Sequence, residues 1–146
     1  MINKAIAEVM NKAGRNILIP SETVATVNEN NNLQHVFLVL SKMKYARIPV
    51  LDNHNHFKGM VSLSQITERM LKDDCIDTGI LEKIKVKEIM DTQIKVVHDQ
   101  DDLEIVLSIL VDENFLPYVD KNNVFLGIIT RREIFKQINF MMHNFS

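Results

Sequence analysis

A turn motif is written twice in this chain, and that repeat limits what the chain can fold into. Residues 49–62 read PVLDNHNHFKGMVS and residues 117–130 read PYVDKNNVFLGIIT. Pro117, Asp120, Gly127 and Thr130 each stand 68 positions after Pro49, Asp52, Gly59 and Ser62. With only three prolines and four glycines in the whole chain, two of each in one register mark an internal repeat. The copies part company immediately afterwards. Leu63-Ser64-Gln65 follows the first, and Arg131-Arg132-Glu133 follows the second.

The length of 146 residues suits one domain, or two small units sharing a core. A net charge of −2, spread along the chain, argues against a broad nucleic-acid footprint. No apolar run approaches the roughly 20 residues needed to span a bilayer. The opening segment MINKAIAEVMNKAGRN carries Glu8 and no continuous apolar stretch, unlike a signal peptide. Cys75 is the only cysteine, which rules out an intrachain disulfide or a CxxC metal site. A cytoplasmic protein with no membrane or nucleic-acid partner is expected.

Hydrophobic periodicity sets the order of elements. Ile2, Ile6, Val9, Met10 and Ala13 recur at helical spacing, and Gly14 is a stop signal. Thr23–Val27 alternates as a short strand does. Leu33, Val36, Phe37, Leu40 and Met43 predict a helix over 33–44 with one buried face. Arg47–Leu51 and Phe57–Val61 are strand-like runs joined by Asp52-Asn53-His54-Asn55-His56, a turn composition. Ser62 or Ser64 caps a helix over 65–71.

The same order returns after a charged linker. A helical turn covers 86–90, a strand 94–97, a helix 102–113, strands 115–119 and 124–129, and a closing helix 131–142. The predicted class is α/β (α+β), two pseudo-symmetric β-α-β-β-α repeats behind an N-terminal helix. The expected boundaries are 1–18 for the N-terminal segment, 19–72 and 87–142 for the repeats, and 73–86 for the linker. A unit of about 60 residues buries little apolar surface alone, so the repeats are expected to pack together.

Catalytic chemistry has little support in these residues. The five histidines, His35, His54, His56, His98 and His143, sit at no recognisable catalytic spacing. His54-x-His56 lies in the turn, where it reads either as a solvated loop or as a metal ligand pair. Neither GxGxxG nor GxxxxGK[ST] occurs. No catalytic or metal-binding residue is assigned, and no enzyme is expected.

Thr130-Arg131-Arg132-Glu133 is different. It falls where a strand ends and a helix begins, so free backbone N–H groups and the positive end of the helix dipole point outward. Positive charge there opposes the dipole by roughly 0.3–1 kcal/mol per residue, and a bound anion removes that penalty. Arginine presents a planar fork of donors that matches phosphate oxygens. Two readings fit the pair: an anion site, or arginines that are solvated or paired with Glu133.

Pro-x-x-Asp followed by Gly-x-x-Ser/Thr, repeated in β-α-β-β-α units, resembles the cystathionine-β-synthase (CBS) domain over about residues 19–142. Such domains occur in pairs called Bateman modules, which bind adenosine nucleotides and commonly form homodimers. The stretches TVATVNENNNLQHVFLVLSKMKYARIPVLD and IITRREIFKQI look like the stand-alone cyclic-di-AMP-binding CBS proteins of Firmicutes. The resemblance implies a bacterial, non-enzymatic receptor for cyclic di-AMP, with no cofactor beyond that ligand. It implies partners such as the bifunctional (p)ppGpp synthetase/hydrolase or pyruvate carboxylase. Carried onto this chain, the ligand site comprises Thr23, Val24, Ala25, Tyr45, Ala46, Arg47, Ile48, Pro49, Thr130, Arg131 and Arg132. Small Ala25 and Ala46 let a flat base approach, Ile48 and Pro49 cover its face, and the arginines hold phosphate. Whether Arg47 points into the site is left open.

Two departures refine the expectation. Ordinary CBS nucleotide sites carry Asp three residues after the Thr, to hold a ribose diol. Here those positions are Glu133 and Gln65. Cyclic di-AMP has no free 2′,3′-diol, so the loss favours it over AMP, ADP or ATP, which remain the alternative ligands. A ligand-free oligomerisation module is the third reading. The mirror set Gln93–Lys95, Pro117–Tyr118 and Ser62–Gln65 lacks an arginine pair. Leu103 to Pro117 spans 14 positions where Leu33 to Pro49 spans 16. The mirror set is expected to be degenerate, leaving one site per chain.

Overall fold

A computed structural model describes residues 17–43, 45–72, 74–98 and 103–144. The predicted helix over 2–13 lies outside the described residues. The strands are β1 (Leu18–Pro20), β2 (Val27–Asn28), β3 (Arg47–Leu51), β4 (Phe57–Ser62), β5 (Leu71–Lys72), β6 (Cys75–Ile76), β7 (Phe115–Val119) and β8 (Phe125–Thr130). The helices are α1 (Leu33–Ser41), α2 (Leu63–Met70), α3 (Leu103–Leu110) and α4 (Arg131–Asn144), with 3₁₀ turns at Ser21–Thr23, Gly79–Lys83 and Val86–Glu88. This is the expected mixed α+β class. The chain divides into two compact units, Ala25–Ile94 and Met1–Val24 with Lys95–Ser146.

In the unit Ala25–Ile94, β2 runs parallel to β3, and β3 pairs antiparallel with β4. Asn32 caps α1 by accepting from the His35 backbone N–H at 2.9 Å. Leu33, Val36 and Leu40 then fall on one face and enter a core with Val27, Ile48, Val50, Val61, Ile66 and Met70. Leu81 and Val86 join the same core. The stretch expected as a linker over 73–86 therefore supplies apolar cover for α1 and α2. Its charges hid that role: Lys83, Lys85 and Lys87 face outward while Leu81 and Val86 face in.

The other unit has the sheet order β1-β8-β7, all antiparallel. Its core collects Ile17, Val97, Val106, Leu110, Leu116, Ile129 and Ile134. The strand predicted over 94–97 shrinks to one parallel bridge, Val97 to Tyr118. The strand predicted over Thr23–Val27 becomes the Ser21–Thr23 turn followed by the two-residue β2.

The units do not follow the sequence repeats at their edges. Strand β1 lies at the very start of the first repeat in sequence but pairs with β8 of the second. Reciprocally, Asp91 lies ahead of the second repeat's strands but exchanges backbone hydrogen bonds with Met60 of β4, at 2.8 and 2.9 Å. Each repeat thus has its sheet edge covered by the segment leading into the other. That explains both register glycines: a Cβ on Gly59 would fall on the Asp91 carbonyl oxygen, and one on Gly127 on the Ile19 carbonyl oxygen. Gly127 also holds a φ of 152°, a backbone conformation that side chains disfavour.

Candidate ligand-binding site

The repeated motif builds the same hairpin twice. Pro49 lies opposite Met60 and Pro117 opposite Ile128, and both hairpins carry an irregularity at the same place, after Val50 and after Tyr118. The turn aspartates explain the shape. Asp52 Oδ1 accepts from the backbone N–H groups of His54 and His56 at 2.8 and 2.9 Å. Asp120 Oδ1 accepts from Asn122 and Val124 at 2.8 and 2.9 Å. Asn55 and Asn123 take the left-handed position, with φ of 65° and 66°.

Asp52 has an additional partner, the His56 ring Nδ1 at 3.0 Å from Oδ2. Partial burial works to raise its pKa, but the His56 and His54 backbone N–H groups and the His56 ring outweigh it and hold the carboxyl at about 2. His54 and His56 lie in this turn with their ring centroids 6.2 Å apart. Among the described residues, no group of three or more His, Cys, Asp or Glu side chains is placed to hold a metal ion.

Each hairpin delivers the chain to a strand-to-helix corner. At the first, Ser62 caps α2: its hydroxyl accepts from Gln65 N at 3.2 Å, and Gln65 Oε1 accepts from Ser62 N at 2.8 Å, a capping box. Ser62, not Ser64, is the cap. At the second corner Thr130, 1% exposed, accepts from Glu133 N at 3.1 Å. The residues that follow keep one exposure pattern: half-buried Leu63 and Arg131, exposed Ser64 and Arg132, half-buried Gln65 and Glu133, buried Ile66 and Ile134.

The two arginines therefore part roles. Arg132 is exposed on the first turn of the 14-residue α4. The Arg131 guanidinium is turned onto the end of α3, with Nε donating to Leu110 O at 2.6 Å, Nη2 to Val111 O at 2.7 Å and Nη1 to Asn114 Oδ1 at 3.1 Å. Sequence spacing gave no sign of this, because the acceptors are backbone carbonyls and one asparagine 17 positions away. Glu133 pairs with Lys136 at 3.5 Å, rather than with either arginine.

The other expected ligand residues divide between the units. Thr23 and Val24 belong with Thr130, Arg131 and Arg132, whereas Ala25 and Tyr45–Pro49 belong to the unit Ala25–Ile94. Thr23 is exposed and its hydroxyl donates to Pro20 O at 2.9 Å. Ala46 is exposed and its carbonyl accepts from Leu63 N at 2.9 Å. Arg47 and Tyr45 are half-buried. Ile48, at 1% exposure, belongs to the core of its own unit. Its side chain is thus committed to that core, and Pro49, the next residue of β3, is buried as well.

The CBS domain family model matches residues 6–72 and 86–139. The chain is a tandem CBS-domain protein. Cyclic di-AMP receptor B of Bacillus subtilis (strain 168) is 33% identical to this CBS pair over 122 residues, 84% of the chain and 83% of that protein. The CbpB protein of Listeria monocytogenes, solved in complex with c-di-AMP, is 38% identical, with 90% of this chain and 98% of that one covered and a TM-score of 0.82. CbpB of Streptococcus agalactiae is 30% identical over 99% of this CBS pair and 90% of its own chain, with a TM-score of 0.87. No helix among the described residues is long and apolar enough to cross a membrane.

Proposed function

We propose that this CBS pair is a non-enzymatic receptor for cyclic di-AMP. The observation that carries the reading is the likeness, over nearly the full length of both chains, to a CbpB protein solved with that ligand. The α4 corner supports it chemically. Arg132 is an exposed cation beside a Thr130-capped helix start, where the local dipole favours an anion. One phosphate of the ligand accepts from Arg132, next to the Thr130 cap.

The Glu133 carboxylate bears on ligand identity. It lies 3.5 Å from the half-exposed Lys136 ammonium, and as a Glu its carboxylate stands one methylene further from the chain than the Asp that holds a ribose diol in ordinary CBS sites. A cyclic dinucleotide, whose 3′ oxygens are esterified, needs no such acceptor. Occupancy is proposed to regulate a protein partner, with the (p)ppGpp synthetase/hydrolase and pyruvate carboxylase as the partners that the family resemblance implies. Ligand can shift a partner equilibrium only through different affinities for the free and the partner-bound forms. A bacterial cytoplasmic homodimer is part of the same proposal.

Calorimetric titration with cyclic di-AMP, AMP and ATP side by side tests the reading. Saturable binding of cyclic di-AMP, with AMP and ATP much weaker, is expected. Binding of AMP without cyclic di-AMP would replace this reading with an energy-sensing one.

A further inference from the structure

We infer that Arg131 is a positioning residue that holds Arg132 in place for the ligand, and that it does not itself take up phosphate. The inference rests on the cyclic di-AMP reading above and assigns the two adjacent arginines different work.

The internal repeat shows what the position is for. Leu63 occupies it in the first repeat, where its backbone N–H donates to Ala46 O at 2.9 Å and its side chain packs against the core. Arg131 makes the matching backbone bond to Asn114 O at 3.0 Å. Both side chains are half-buried, and both are followed by an exposed residue, Ser64 or Arg132. The position anchors the corner in both repeats, and the residue after it faces outward.

An arginine is needed in the second repeat because of the two positions missing between Leu103 and Pro117. In the first repeat the chain beyond α1 supplies its own donors: Lys42 N bonds Val39 O and Met43 N bonds Leu40 O, each at 3.1 Å. In the shortened second repeat Asp112 N keeps the bond that matches that of Lys42, to Ile109 O, whereas Glu113 N, the match of Met43, bonds Ile109 O as well, each at 3.2 Å. Leu110 O and Val111 O accept instead from Arg131 Nε and Nη2. At Leu110 O the guanidinium takes the place that Met43 N holds at the matching Leu40 O, and its planar fork can serve several acceptors at once where an ammonium cannot.

The consequence for binding is preorganisation. Thr130 is fixed by burial and its bond to Glu133 N, and Arg131 is fixed by four hydrogen bonds, one backbone and three side-chain. Arg132 sits between these fixed points and the helix, so binding has to order only its side chain.

Asn114 allows a test away from the ligand. It contacts Arg131 by its side chain and is not itself one of the expected ligand residues, although it aligns with Ala46 of the other repeat. The experiment is a double-mutant cycle read by cyclic di-AMP affinity, using the full chain with Arg131→Ala, Asn114→Ala and the pair, and helix content followed in parallel. Arg131→Lys replaces Arg131→Ala if the alanine variant does not fold. Asn114→Ala is expected to weaken cyclic di-AMP binding about three- to tenfold in the unaltered background and to add little once Arg131 is gone. Additive losses would mean that Arg131 touches the ligand directly. A lowered stability with unchanged affinity would mean that the anchor serves the fold alone. Either result overturns the inference. If the unaltered chain binds no cyclic di-AMP, the receptor reading falls and takes this inference with it.

Discussion

The corner at residues 62–66 and the corner at residues 130–134 share a backbone, a cap and an exposure pattern, yet only one carries charge outward. Ser62 and Thr130 cap their helices through the residue three positions on. Ile66 and Ile134 are buried in their respective cores. Between them, Leu63-Ser64 gives one corner an apolar anchor and a small polar face. Arg131-Arg132 gives the other a hydrogen-bonding anchor and a cation. The fold was kept in both copies because the cap and the core residue define it. Function was free to diverge at the one exposed position that neither cap nor core constrains.

The largest expected effect separates these exposed positions. Arg132→Ala should weaken cyclic di-AMP binding by about 2–5 kcal/mol, the range for removing one partner of a desolvated charge pair. Ser64→Ala, at the equivalent place, should leave affinity within about 0.5 kcal/mol. Equal losses at both would break the distinction between the corners, and isothermal calorimetry reads it directly.

The next effect concerns the two covered sheet edges. Gly127→Ala meets the Ile19 carbonyl and an unfavourable φ together, and should cost about 2–4 kcal/mol of unfolding free energy. Gly59→Ala meets the Asp91 carbonyl with no φ penalty and should cost about 1–3 kcal/mol. Denaturant unfolding of the two variants would show the order. A reversed order would mean that the β1–β8 pairing yields more easily than the Met60–Asp91 bridge.

The smallest effect is set by pH and falls on Asp52. Its carboxyl is held at about 2 against an ordinary 3.8, so the folded state prefers the ionised form. The stabilisation is complete above the ordinary value and disappears as pH falls through the folded value. Asp52→Asn should therefore flatten the stability profile between roughly pH 4 and pH 2 relative to the unaltered chain. An unchanged acid limb would show that other carboxylates govern acid unfolding.

How much of this could be read in advance depended on whether the signal was local. The hairpins were legible because Asp52, Asn55, Asp120 and Asn123 must occupy fixed places in the turns they make. Helices α1 and α2 were legible from apolar spacing and from Ser62. The reciprocal covering of edges was not, since nothing in Leu18–Pro20 or Asp91 names a partner about a hundred or thirty residues away. The roles of Leu81 and Val86 were masked by the lysines around them. For the site, Arg132 at a capped helix start was visible from the sequence. The commitment of Arg131 to the carbonyls of Leu110 and Val111 required the fold.

The central claim is that the repeat supplies two equivalent frames and one of them works. The number of cyclic di-AMP molecules bound per chain tests it most directly, by calorimetric titration at a known active protein concentration. One ligand per chain is predicted, and that binding should disappear or be greatly weakened in Arg132→Ala. Two ligands per chain of comparable affinity, one of them surviving the substitution, would contradict it.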